Sequence, residues 1–242
     1  MVPEINFFWS GNNFTYLNYL CIQSHINIGH SVRIHIHGNL PNSVHWNALD
    51  INKINILNAD DVFDITEFLK QKNTNIKTGS ALWRFHYLYK HGGWYSDTDA
   101  IALKKWDINS NWMLCSGETD SRLISIGVIK VPKNQKMFLY MIRNISPEWG
   151  NVRIFTNYYR KFNNCSKHIY DSELFYPIKW NEYMKILRDI KIPDVYSLHT
   201  YNTMFERDGI INDIQDKIQS GSLLERIVNF VENKKDRFTY FV

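Results

Sequence analysis

The chain has 242 residues, 44% hydrophobic and 15% aromatic, which is ample for one folded domain with a core and excludes a disordered polymer. Its net charge of +4, from 28 basic and 24 acidic residues, is too slight to mark a nucleic-acid binder. Cys21, Cys115 and Cys165 are widely spaced and lack Cys-x-x-Cys pairing, which argues against a disulfide framework or a zinc site. In chain order, Ile5 to Trp9 reads as a first strand. Thr15 to Ile28 follows as a helix, with Leu17, Leu20, Cys21 and Ile28 near one face and Gly29 closing it. The stretch Val32 to His37 alternates strictly, and Ile54 to Leu57 is another strand candidate. Asp61 to Lys72 looks helical. His35 and His37 share a strand face; with no third ligand nearby, a polar strand face is the preferred reading over a metal pair.

The segment from Thr78 to Gly93 reads as one helix. Thr78 or Ser80 is expected to cap it, and Leu82, Phe85, Leu88 and Tyr89 supply the buried stripe. Lys90 and His91 suit its negative end, and Gly92 is placed for a left-handed turn. Arg84 sits close to the apolar stripe, and an inward arginine needs an anionic partner. The helix feeds Gly92-Gly93-Trp94-Tyr95-Ser96-Asp97-Thr98-Asp99. On a strand, Asp97 and Asp99 share a face, and two such carboxylates repel unless a cation lies between them. A divalent metal carrying a phosphorylated substrate answers that need, because Mg²⁺ and Mn²⁺ prefer carboxylate oxygens and phosphates. The duller alternative is a solvated acidic turn.

Trp112 to Leu114 and Ile124 to Ile129 read as strands, and Gln135 to Ile145 and Ile154 to Phe162 as helices. His199 and Asn202 fall on a segment expected to be irregular. The alternation of strands and helices implies an α/β fold with a largely parallel sheet, whose ligands bind beyond the strands' carboxyl ends, where Trp9 and Asp97 lie. Residues 211–242 are expected to form a helical extension packed on a domain spanning 1–210. Its basic, aromatic end, Lys234-Lys235 and then Phe238 to Val242, is also able to make peripheral contact with an anionic membrane. The N-terminus shows no basic region ahead of a long apolar run, and no stretch reaches about 18 apolar residues. A reducing, cytoplasmic setting is therefore expected.

Ser80-x-x-x-Arg84 followed by Leu88-Tyr89-x-x-Gly92-Gly93-x-Tyr95-x-Asp97-x-Asp99 resembles the signature of the DXD glycosyltransferases. These include yeast α-1,6-mannosyltransferases, the animal α-1,4-galactosyltransferase and the clostridial glucosylating toxins. Phe7 to Gly11, Phe175 to Trp180 and Tyr196 to Asn202 resemble further family segments in the same order, so the likeness runs from about residue 4 to about residue 205.

The resemblance implies a GT-A, Rossmann-like fold and retaining transfer of a hexose from a nucleotide-sugar, a UDP-sugar first among candidates. The acceptor would be a saccharide or glycan, as in polysaccharide biosynthesis, and Mn²⁺ or Mg²⁺ would be the cofactor. It assigns catalysis to Asp97, Asp99 and Arg84, and the metal to Asp99 with His199 and Asp97. Donor contacts fall to Trp9, stacking on the base, and to Ser80, Arg84, Asp97, His199 and Asn202; Tyr95 is either core or a donor contact. Three departures lie near the expected sugar pocket: Ala81 replaces a family Asp, Ile126-Gly127 replaces Asn-Gly, and Asn151-Val152 replaces Gly-Pro. They put the donor sugar in doubt and motivate an alternative, a nucleotide-sugar-binding protein without transfer activity. A metal-dependent phosphohydrolase built on Asp97 and Asp99 is a third reading.

Overall fold

The computed structural model describes residues 2–145, 150–163 and 168–239. Cys165 and the tail residues Tyr240 to Val242 lie outside them. The chain opens with β1 (Glu4–Ser10), α1 (Tyr16–Ile28), β2 (Ser31–His37), the short α2 (Val44–Asn47), β3 (Ile54–Asn58) and α3 (Ile65–Lys72). Next come α4 (Ile76–Lys90), β4 (Gly93–Ser96), β5 (Ala100–Ala102), β6 (Met113–Ser116), β7 (Ile124–Val131), α5 (Lys136–Arg143) and α6 (Gly150–Asn163). β8 (Ile169–Tyr170), β9 (Ser197–His199), α7 (Asn202–Arg207) and α8 (Leu223–Glu232) complete the described chain.

Seven strands form one sheet in the order β3-β2-β1-β4-β7-β6-β8, and β5 and β9 form a separate antiparallel pair. In the large sheet only β7 runs against its neighbours; the pairs β1–β2, β2–β3, β1–β4 and β6–β8 are parallel. The expected, mainly parallel α/β sheet is thus present, with one reversed strand beside β4.

Alternation along the strands divides the core in two. Ile5, Phe7, Ile34 and Val128 join Leu17, Leu20, Leu224 and Ile227 on the face covered by α1 and α8. Phe8, Tyr95, Ile129 and Val131 join Trp83, Phe85, Leu88, Phe138 and Phe155 on the face covered by α4, α5 and α6. Residues beyond 210 therefore share a core with β1 and α1. Asn27 Nδ2 donates to the Val231 carbonyl at 2.8 Å, and the Phe238 N–H donates to the Leu103 carbonyl at 2.9 Å. Among the described residues no helix is long and apolar enough to cross a membrane.

Several local expectations change. The cap of α4 is Asn75, whose side chain accepts from the Thr78 N–H, rather than Thr78 or Ser80, so the helix starts two residues earlier than Thr78. Asp61 to Lys72 divides into a 3₁₀ turn at Ala59–Asp61 and a helix that begins after the Asp64 cap. His35 is buried and bonds Asn6 Oδ1 at 3.2 Å, so it is no part of a polar strand face, while His37 pairs with Asp60 at 3.1 Å. The segment holding His199 and Asn202 is ordered as β9 and α7 rather than irregular.

Candidate active site

Gly92 controls the entry to the site. It adopts φ +65°, and a Cβ there would lie 2.4 Å from the Lys133 nitrogen, so backbone contact as well as the left-handed turn demands glycine. β4 then runs beside β1 and ends at Ser96, one residue before the first carboxylate. Asp97 and Asp99 therefore do not share a strand face, contrary to the expectation from alternation. They converge through a turn between β4 and β5. That turn is held from α1, where Asn18 Nδ2 donates to the Thr98 carbonyl at 3.0 Å, and from β7, where the Gly127 carbonyl accepts from the Asp97 N–H at 2.8 Å.

β9 brings the third group. Its antiparallel register sets Ala100 opposite His199, placing the imidazole against the turn. His199 Nε2 lies 3.1 Å from Asp99 Oδ1, and the Asn202 N–H donates to Asp99 Oδ2 at 3.2 Å. Between them Tyr201 sits at φ 56°, ψ 54°, a left-handed conformation that costs a non-glycine residue about 1–2 kcal/mol. The turn it makes lets its own N–H donate to His199 Nδ1 at 3.3 Å. A neutral His199 consequently carries its proton on Nε2, directed at Asp99.

Arg84 is buried, as an inward-facing arginine requires, and has the anionic partner it needs. Its Nη2 lies 2.5 Å from Asp97 Oδ1, and its Nη1 donates to the Ile126 carbonyl at 2.9 Å. Tyr95, 2% exposed, donates its hydroxyl to the same Asp97 oxygen at 2.9 Å, and the Arg84 guanidinium lies over its ring, 4.4 Å from the centroid. Burial pushes the Asp97 carboxyl up, and the Asp99 charge adds to the rise against Arg84, His199 and Tyr95. Burial also acts to raise Asp99, but the His199 charge and hydrogen bond, with the Asn202 N–H, hold it below the usual range. For His199 burial works against the charge, while Asp99 first, then Asp97 and Glu118, raise its pKa above the ordinary value.

One ligand atom from each of Asp97, Asp99 and His199 lies within 4.8 Å of the others, a grouping able to hold one metal ion. Two carboxylates and an imidazole form the hard, oxygen-rich donor set that Mn²⁺ or Mg²⁺ accepts. Asn202 Nδ2 is buried with no hydrogen-bond partner among the described residues, and the same holds for Arg84 Nε. An unsatisfied buried donor costs about 1–3 kcal/mol, which a ligand oxygen would relieve.

The remaining expected residues are spread around this group. Trp9 is half-buried at the carboxyl end of β1, edge-on to Phe14, with its indole N–H donating to the Gly11 carbonyl at 2.8 Å. Ser80 Oγ donates to the Lys77 carbonyl inside α4 at 2.9 Å. Two residues less visible in sequence also meet the site. Gly127 packs so closely that a Cβ there would lie 3.0 Å from Asp97 Oδ2, and the Tyr176 hydroxyl accepts the Val128 N–H at 2.8 Å while its ring adjoins His199. The Phe175-Tyr176 pair within the family-like segment was the only signal for the latter.

The family described as "Glycosyltransferase sugar-binding region containing DXD motif" matches residues 16–114, which include Arg84, Asp97 and Asp99. No curated protein matches the chain significantly. Among solved structures the chain is similar to PaToxG glycosyltransferase, at 19% identity and TM-score 0.50 over 68% of this chain and 70% of that one. It is also similar to the galactosyltransferase LgtC, determined in complex with donor and acceptor sugar analogs, at 14% identity and TM-score 0.36 over 64% of this chain and 69% of that one. The fold is of the GT-A glycosyltransferase type. The DXD match supports glycosyl transfer as the general class of activity.

Proposed function

We propose that the chain is a metal-dependent, retaining hexosyltransferase that moves a hexose from a nucleotide-sugar, a UDP-sugar first among candidates, to a saccharide. The observation that carries this reading is the convergence of Asp97, Asp99 and His199 within 4.8 Å, inside a DXD sugar-binding region. These three residues would hold Mn²⁺ or Mg²⁺, which when bound supplies positive charge to the departing diphosphate.

The chain's own residues do the rest. Asn202 Nδ2, the orphan donor beside Asp99, would hydrogen-bond a diphosphate oxygen. Arg84 and Tyr95 both donate to Oδ1 of Asp97 and fix it, leaving Oδ2 for the ligand side. Trp9 at the end of β1 would meet the base, as open α/β sheets bind nucleotides beyond their strand ends. In the reaction the bond from C1 of the sugar to the diphosphate oxygen breaks, and the diphosphate keeps the electron pair. The acceptor hydroxyl oxygen bonds C1, and its proton passes to the released diphosphate. The sugar is oxocarbenium-like between these events.

The test is Mn²⁺-dependent hydrolysis of a panel of UDP- and GDP-sugars, with Asp99→Asn as control. Free sugar from one donor, lost in the variant, is the expected result and names the sugar. Tight nucleotide-sugar binding with neither hydrolysis nor transfer across many acceptors would instead favour a binding protein, consistent with Ala81 in place of an acid. Release of inorganic phosphate would point to a phosphohydrolase.

A further inference from the structure

We infer that Glu118, Thr119 and Trp180 form the acceptor subsite and that the acceptor presents a sugar ring to it; the inference rests on the donor reading above. The sheet order supplies the first argument. Trp9, next to last in β1, and His37, which ends β2, lie on one side of β4, and the DXD turn follows β4 itself. A donor spanning these positions leaves the β7–β6 side open. There β6 ends at Ser116, and the loop that follows carries Glu118 and Thr119.

Glu118 is half-buried, with Ser125 Oγ 3.4 Å from its Oε1. Its charge acts on His199, Tyr176 and Tyr201, so it stands at the rim of the metal-competent group. Among the described residues it makes no ion pair with a cation. None of the roles assigned above uses this carboxylate.

Trp180 lies beside that loop. It is 37% exposed, the most exposed tryptophan among the described residues, and its indole N–H points to Thr119 Oγ1 at 3.4 Å. A single exposed tryptophan needs no explanation by itself. Its attachment to the loop bearing Glu118 does. The segment leading to Trp180 is also anchored to the site, because the Tyr201 hydroxyl donates to the Ile178 carbonyl at 2.9 Å and the Tyr201 ring adjoins His199. An indole face beside a carboxylate fits a sugar ring, whose C–H face packs on the aromatic surface while its hydroxyls donate to the acid.

The experiment uses the full chain labelled with 5-fluorotryptophan and followed by ¹⁹F NMR, with the Trp9 and Trp180 signals assigned through Trp9→Phe and Trp180→Phe. The probes are UDP with Mn²⁺, a set of methyl hexopyranosides with lactose, and an unrelated peptide mixture. The expected result is a saturable shift of the Trp180 signal by at least one saccharide, weakened about tenfold in Glu118→Gln, while UDP with Mn²⁺ still moves the Trp9 signal in that variant. A Trp9 response to UDP with no saccharide moving Trp180 overturns the acceptor subsite and leaves the donor reading standing. A Trp180 response to saccharide without any nucleotide response supports the sugar site and removes the donor reading. Displacement of Trp180 by peptide alone overturns the choice of a sugar acceptor.

Discussion

Arg84 Nη2 lies 2.5 Å from Asp97 Oδ1, the same oxygen that accepts the Tyr95 hydroxyl at 2.9 Å. Two donors on one oxygen leave Asp97 Oδ2 as the atom open to a ligand. The arginine side chain is 10% exposed and its partner 31%, so removing the cation would strand a carboxylate that keeps partial access to water. Arg84→Met is expected to cost about 2–4 kcal/mol, at or below the range for fully buried pairs, and to weaken Mn²⁺ binding. Thermal melting and metal titration of this variant beside Arg84→Lys check it. An unchanged melting temperature would remove the pair from the stability of the site.

Gly127→Ala addresses the free oxygen directly. The new Cβ would lie 3.0 Å from Asp97 Oδ2 and 3.2 Å from the Tyr176 hydroxyl, and no positive φ otherwise reserves this position for glycine. Crowding of this kind costs typically about 1–3 kcal/mol in a packed site. Donor hydrolysis is expected to fall more than stability does. Measuring both on one preparation decides the matter, and full activity would show that Oδ2 is not on the ligand side.

How much of this arrangement could be read from the residues varies with the range of the interaction. The inward Arg84, the left-handed Gly92 and the strand to Tyr95 follow from helical spacing and glycine placement, and all three are present. The starting cap of α4 is ambiguous in the sequence because Asn75 competes with Thr78 and Ser80, three capping residues within six positions. The joining of Asp99 to His199 spans a hundred residues through β5 and β9, two strands of three residues each. Nothing in local pattern announces strands that short, and only the family resemblance placed His199 at the site. The resemblance also sets Gly127 near the sugar pocket, but its close approach to Asp97 arises from packing across β7, which local pattern does not show.

Cation binding should compete with protonation of His199. His199 holds a proton on Nε2 toward Asp99, and that interaction raises its pKa above the ordinary histidine value. Coordination through Nε2 needs the neutral ring with its proton moved to Nδ1, in place of the Tyr201 N–H bond, so the doubly protonated ring competes with Mn²⁺ and affinity is expected to rise with pH and to fall in acid. Calorimetry in buffers of different ionisation enthalpy reads the proton directly. Affinity independent of pH between about 6 and 8 would exclude His199 from the coordination sphere.

Trp9 offers a separate handle on the nucleotide. Its N–H is committed to the Gly11 carbonyl and its edge packs on Phe14, which fixes the ring at the end of β1. Trp9→Ala is expected to weaken UDP binding by about 1–3 kcal/mol, the range for base–aromatic stacking. A lower melting temperature with unaltered nucleotide affinity would return Trp9 to a packing role.

Stability should also depend on two buried histidines. His25 and His30 are buried, with their Nδ1 atoms 2.9 Å apart. The Trp106 N–H donates to His30 Nε2, so His30 carries its proton on Nδ1 and donates it to His25, whose Nε2–H reaches the Ala100 carbonyl at 3.2 Å. That chain requires both rings neutral. Burial lowers His30 to about 3, with Lys105 adding to the shift, and lowers His25 well below its usual value, with His30 adding and the Ala100 bond opposing. The unfolded chain, with pKa values near 6.5, therefore binds more protons than the folded one at mildly acidic pH. Stability is fully present above about 6.5 and is lost as pH falls toward 3, by at most about 1.4 kcal/mol per pH unit for each histidine. Urea unfolding at a series of pH values measures the slope. In the His30→Asn variant it is expected to shrink, and an unchanged slope would assign the acid sensitivity to other groups.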